Sequence, residues 1–173
     1  MKKIKNVVLF AVAILLSITS MAQTKKNIID IAEGSKEHTT LVQAIKAAEL
    51  LTTFKGTGPF TLFAPNNSAF ENLSPGTLDN LLKPENKSKL AGILKYHVVS
   101  GDLNADAISA AIKKGDGKTV LTTLTGEKLT ATIVNGNFVL TDEKGGKATV
   151  TLTNLSGTNG VIHVIDSVLL PRD

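Results

Sequence analysis

The chain has 173 residues, 19 Lys plus Arg against 15 Asp plus Glu, a formal charge of +4 and no cysteine. Stability must therefore come from packing rather than disulfides, and no thiol nucleophile exists. Lys2, Lys3 and Lys5 account for most of the excess charge. The rest of the chain lacks the strong basic field that nucleic acid or an anionic membrane surface demands.

Those lysines open a basic n-region, followed by an apolar run from Val7 to Ile18 and by Ser20-Met21-Ala22. The pattern predicts a signal peptide over residues 1–22, cleaved between Ala22 and Gln23. The run is shorter than the roughly 20 residues a spanning helix needs, and the missing cysteine removes any lipobox. The expectation is a secreted or periplasmic, bacterial-type protein with no transmembrane anchor after cleavage. Residues 23–26 read as a short leader and 27–173 as a single domain.

Ile28, Ile29, Ile31 and Ala32 predict a first helix ending near Gly34. Thr40 with Gln43 reads as a capping box, and Leu41, Ala44, Ile45, Ala48 and Leu51 form one apolar helical face. Gly56-Thr57-Gly58-Pro59 stops it, and Phe60 to Ala64 is a short strand ended by Pro65. Ser68 with Glu71 suggests a second capping box, while Asn66 or Asn67 can also turn and cap the helix that carries Phe70. Short helices follow around Leu78–Leu82 and from Pro84 through Leu90, Ile93, Leu94 and His97, then from Ala105 to Ile112. Beyond Gly117 the period changes to that of strands: Val120–Thr122, Leu129–Val134, Phe138–Thr141 and Ala148–Leu155. Asn135-Gly136 is the strongest hairpin signal. The final run, Asn159 to Pro171, is too continuously apolar for a strand with one wet face and should be buried on both sides. Helices first and a strand meander second argue an α+β class.

Three blocks stand out in register: Gly58 to Phe70, Tyr96-His97-Val98-Val99, and Asn159 to Pro171. Together they resemble the two homology boxes and the Tyr-His motif of the fasciclin domain. The resemblance implies a wedge of two packed β-sheets with a helical layer contributed mainly by the N-terminal half. It also implies an extracellular role in cell adhesion or surface binding. Within the motifs, Phe60, Leu62, Pro65, Asn66, Phe70, Asn159, Gly160, His163 and Asp166 are expected to specify the fold.

Candidate partner-binding residues follow from the same resemblance. Tyr96 and His97 match a motif linked to integrin attachment in animal relatives, but for His97 the preferred reading is a partly buried imidazole holding a backbone group at the helix-to-strand junction. A second animal motif, an Asp-Ile pair, falls on Asn154-Leu155. The carboxylate that would meet an integrin-bound cation is missing there, so integrin binding is not expected.

Catalytic patterns are sparse. His38, His97 and His163 show no metal-ligand spacing, and no Gly-x-Ser-x-Gly elbow occurs. Gly117-Lys118-Thr119 reads as a turn. His163 and Ser167, four apart in a strand, would sit ~13 Å apart, too far for a proton relay. The loops at Lys113–Lys118 and Asp142–Gly146 are expected to be solvated. Asn66, Asn72, Asn86 and Asn154 begin Asn-x-Ser sites, which matter only in a cell that glycosylates them. The sequence thus points to a non-catalytic adhesion or surface-binding module of the cell envelope or matrix, without cofactor or metal. Its partner would be an unidentified extracellular protein or glycan. A module for extracellular polysaccharide is the alternative, and a hydrolase a distant third.

Overall fold

A computed structural model describes residues 25–172; the expected signal, residues 1–22, lies outside the described residues. Seven α-helices, α1 (Ile28–Glu33), α2 (Thr39–Ala47), α3 (Leu51–Lys55), α4 (Asn67–Glu71), α5 (Thr77–Leu81), α6 (Lys87–Tyr96) and α7 (Ala105–Lys114), occur among the described residues. The strands are β1 (Phe60–Pro65), β2 (Val98–Ser100), β3 (Lys118–Thr122), β4 (Lys128–Val134), β5 (Asn137–Thr141), β6 (Lys147–Gly157) and β7 (Gly160–Ile165). Their hydrogen-bonded order is β2-β1-β7-β6-β5-β4-β3. The class is α+β, as expected.

The two expected sheets are continuous through β6. This strand pairs with β7 at one end and β5 at the other, with register shifts between Val150 and Leu152 and between Leu152 and Leu155. Such bulges bend and twist a strand, so β6 serves both halves. The ladder's two ends meet where Val99 bridges to Thr123 and the Leu124 N–H donates to Val98 O at 2.8 Å.

β1 and β7 run parallel in the middle, from Phe60 opposite Gly160 to Pro65 opposite Ile165. Each is sandwiched between two cores. Leu62, Ala64 and Ile162 face a core built with Ile28, Ile29, Leu41, Ile45, Phe54 and Leu94 from the helices. Phe63 and Ile165 face the other core, with Ile108 and Ile112 of α7 and Leu129, Ala131 and Leu140 of the meander. All six residues of β7 are buried, which accounts for its lack of polar alternation.

Several local expectations are corrected. Thr40 is not an N-cap: α2 starts at Thr39, and its exposed amide is met by Asn67, whose Oδ1 accepts from Thr40 N at 3.1 Å. The cap therefore comes from 27 residues away, beyond the reach of a local pattern. Leu51 does not continue α2, because Glu49 has φ 56° and breaks the chain before α3. Ser68 lies inside α4, whose cap is Asn66, with Oδ1 accepting from Ala69 N at 2.8 Å. Pro65 ends β1 from within, and β7 stops at Ile165 rather than running on toward Pro171. The hairpin signal holds: Asn135 and Gly136 both take positive φ, 51° and 83°, as a type I′ turn demands.

Gly160 has φ 152°, and a Cβ there would lie 1.9 Å from Phe60 O, so the parallel pair can close only without a side chain. Gly92, inside α6, is the opposite case, since an added Cβ meets nothing within 4 Å. Gly160→Ala is expected to lower unfolding stability by more than about 3 kcal/mol through backbone displacement. Gly92→Ala should raise it by about 0.5–1 kcal/mol by removing the helix penalty of glycine. Urea titration of both variants measures the contrast.

Candidate functional site

The fasciclin-like blocks meet around the C-terminal arm, residues 166–172, and the start of β7. Asn159 is the hub. Its Oδ1 accepts from Ile28 N at 3.0 Å, and its Nδ2 donates to Phe54 O and Gly56 O, both at 2.9 Å. Its own carbonyl accepts from Phe60 N at 2.9 Å. One side chain thus ties α1, the end of α3 and the start of β7 together.

Tyr96 and His97, at the end of α6, are both buried. The Tyr96 hydroxyl donates to Lys128 O at 2.8 Å and accepts from Glu143 N at 3.3 Å; burial pushes its pKa up to about 12. His97 has one ring nitrogen on Ile93 O at 2.8 Å, and its Nε2 accepts from Leu169 N at 3.0 Å. A carbonyl can only accept and an amide can only donate, so the ring is the neutral Nδ1–H tautomer. Burial is the main cause that lowers its pKa to about 4, partly opposed by the Ile93 bond and the Asp142 charge. His97 therefore locks the arm onto α6, while Tyr96 ties the end of α6 to the start of β4 and to the β5–β6 turn.

A second latch was not foreseen. Asp142, expected in a solvated loop, is buried. Its Oδ1 accepts from Lys144 N and Gly146 N at 3.0 and 2.6 Å, while Oδ2 accepts from Leu170 N at 3.0 Å. Consecutive amides of the arm are held by His97 and Asp142. The local Asp-x-x-Gly-Gly turn pattern was visible in sequence; its distant partner was not.

His163 stacks on Phe63 with ring centroids 5.7 Å apart. Its Nε2 donates to Leu103 O at 2.8 Å, and Nδ1 accepts from Asn154 N at 3.4 Å. Asp166 Oδ1 accepts from Thr149 N at 2.7 Å and from Ser167 Oγ at 3.1 Å. Ser167 lies beyond β7, so strand spacing does not describe it. The reason no relay forms is that both His163 nitrogens are committed to backbone.

Asn154 and Leu155 fall elsewhere, on the bulged part of β6. Asn154 is exposed with φ 63°, and its Oδ1 caps α7 by accepting from Ala105 N at 2.8 Å. Leu155 is half-buried and lines a cleft of about 290 Å³ with Leu152, Val164, Glu37 and His38. Leu152 is 51 % exposed. Beneath it, His38 is buried, with Nδ1 bonded to Ser35 Oγ at 2.9 Å and Nε2 without a partner among the described residues. Among the described residues no group of three or more His, Asp or Glu is placed to hold a metal ion.

Two outcomes follow from these contacts. Asn159→Ala should cost about 2–4 kcal/mol, since one amide, two carbonyls and their packing lose a shared partner. Asn159→Asp should cost at least as much, because a carboxylate would then face two carbonyl oxygens; thermal unfolding of both variants checks this. For pH, the unfolded His97 titrates near 6.5 and the folded one near 4. Its contribution is present above pH 6.5 and is lost as pH falls toward 4, by about 3 kcal/mol in total. His38 and His163 are shifted the same way by burial. Urea unfolding from pH 7.5 to 4 should show a shallower slope in His97→Gln than in the parent.

Comparison with known proteins agrees with this architecture. The fasciclin-domain family model matches residues 36–171. Protein sll1483 of Synechocystis is 43% identical over 157 residues, covering 90% of this chain and 80% of that protein. Immunogenic protein MPB70 of Mycobacterium bovis is 34% identical over 145 residues, covering 81% and 66%. Transforming growth factor-beta-induced protein ig-h3 of Sus scrofa is 35% identical over 144 residues, 83% of this chain but 19% of that longer protein. The solved FAS1 domain pair of the insect cell adhesion molecule Fasciclin I superposes with a TM-score of 0.74 at 19% identity, over 84% of this chain and 51% of that one. A backbone hub at Asn159-Gly160, a buried Tyr-His pair whose His97 holds the C-terminal arm, and a family match across most of the chain lead to one assignment: the chain belongs to the fasciclin domain family.

Proposed function

We propose that this protein is a non-catalytic adhesion or surface-binding module, acting at the cell envelope or in the extracellular matrix. The observation that carries the reading is the commitment of its polar interior. His97 and His163 each spend both ring nitrogens on backbone, and Asp142 and Asp166 accept from backbone amides. A general base needs a free nitrogen or oxygen within reach of a substrate proton, and neither His97 nor His163 offers one. What remains is a rigid frame presenting loops. The family is associated with cell adhesion and extracellular proteins, which supports the same reading. Among the described residues no helix is long and apolar enough to cross a membrane.

The bulged face of β6 is the contact surface this reading favours. Leu152 and Leu155 offer apolar area beside Asn154 and the His38 cleft, whereas Tyr96 and His97 are interior and act on stability. Without an acidic side chain at Asn154, a bridging cation has no carboxylate there, so attachment would rest on apolar and hydrogen-bonded contact. The protein immobilised on beads should retain whole cells or envelope fractions of its source, and Leu152→Glu should reduce retention severalfold while leaving the melting temperature within a few degrees. Retention indistinguishable from bare beads would overturn the reading.

A further inference from the structure

An open groove of about 1070 Å³ lies between α5 and α6 on one side and the β3–β4 turn, the β5–β6 turn and the C-terminal arm on the other. Its charge is one-sided. Lys83 and Lys89 stand on the helical wall, Lys144 and Arg172 on the opposite wall, and Glu127 is the one carboxylate among the lining residues. No ion pair engages Lys83 or Lys89 among the described residues. Arg172 contacts Glu143 only at 3.7 Å and is 75 % exposed at its side chain. Gly76 and Gly92 add no bulk to the lining, since a Cβ at either would meet nothing within 4 Å.

We propose that this groove binds a segment of an acidic polysaccharide, its carboxylate or sulfate groups lying between the two lysine- and arginine-bearing walls. The inference rests on the surface-binding reading above and names its partner class. Cations on both walls suit a chain that carries negative charge at repeated intervals, rather than a single compact anion. The side chains are mainly lysines, which act as hydrated point charges rather than a bidentate fork, so recognition follows charge spacing more than the geometry of one group. No aromatic side chain is among the lining residues, which leaves nucleic-acid bases without a stacking platform. Helices, turns and the arm supply the lining and no β-strand does, so an extended peptide finds no edge to pair with. The volume is that of a site for a short oligomer.

The test titrates the purified protein with polygalacturonate, dextran sulfate, neutral dextran, polyglutamate and single-stranded DNA. Calorimetry follows binding at low and high salt, and the first two polymers separate carboxylate from sulfate as the source of charge. Expected is saturable binding of at least one acidic polysaccharide and none of dextran, weakened at high salt because exposed charges are screened. The double variant Lys83→Glu/Lys89→Glu should bind about tenfold more weakly or worse. Lys113→Glu/Lys114→Glu, with the same net charge change on α7 and outside the groove, should bind like the parent, and all three proteins should melt together. No binding of either acidic polysaccharide overturns the proposal. So does equal weakening by the two double variants, equal binding of dextran, or tighter binding of polyglutamate or DNA. The retention assay separates this from the broader reading: a Lys83→Glu/Lys89→Glu protein that still holds cells like the parent removes the groove from the account and leaves the surface-binding role standing.

Discussion

β7 is hydrogen-bonded along both edges, parallel to β1 and antiparallel to β6, and both of its faces lie against packed cores. All six of its residues are buried, so the polar groups in it need partners from the protein itself. Much of the molecule can be read as the answer to that requirement. Gly160 permits the approach to Phe60 that starts the parallel ladder, and the side chain of Asn159 satisfies three backbone groups at the same corner. His163, the polar intrusion in the strand, finds Leu103 O on one side and Asn154 N on the other. A parallel pair needs a long crossover, and here the crossover is nearly the whole protein: α4 to α7 and the entire meander lie between β1 and β7.

The same economy governs the C-terminal arm. Its amides at Leu169 and Leu170 are met by His97 and Asp142, which come from the end of α6 and from the β5–β6 turn. A neutral imidazole is well suited to the first task, since it can donate to a helix carbonyl and accept from an amide at once. That duty couples the arm to acid, because the imidazole must stay uncharged to accept. The arm in turn forms one wall of the cationic groove, so a residue pair that never reaches the surface decides the shape of a surface feature.

Function on this frame falls to what the interior leaves over. Both ring nitrogens of His97 and His163 are occupied with backbone groups, and Asp142 and Asp166 accept from backbone amides. The exposed surface includes the bulged β6 face and the groove beside α6. A near balance of charge beyond Lys2, Lys3 and Lys5 concealed the second feature: opposite signs nearly cancel along the rest of the chain while the fold gathers lysine and arginine on two facing walls. Averaging over a sequence cannot register that, because a local field depends on distance in space.

Periodicity and turn chemistry carried much of the fold. The change from helical spacing to β-branched runs, the Asn135-Gly136 turn, the Asn66 cap and the unbroken apolarity of β7 are properties of adjacent residues, so they were legible in the chain itself. The role of His97 as a buried holder of backbone was legible as the preferred reading, since an imidazole on an apolar helical face has few other options. The Asn67 cap on α2, the break at Glu49, the Asp142 latch and the parallel pairing of β1 with β7 were not. Each depends on groups brought together from distant parts of the sequence, and hydrogen bonding and burial act through space. Sequence by itself determined the elements, the two-sided burial of the last strand and the family. Tertiary structure decided which polar residues are spent on holding the chain and which charges stand together at the surface, because only packing sets what each side chain finds within reach.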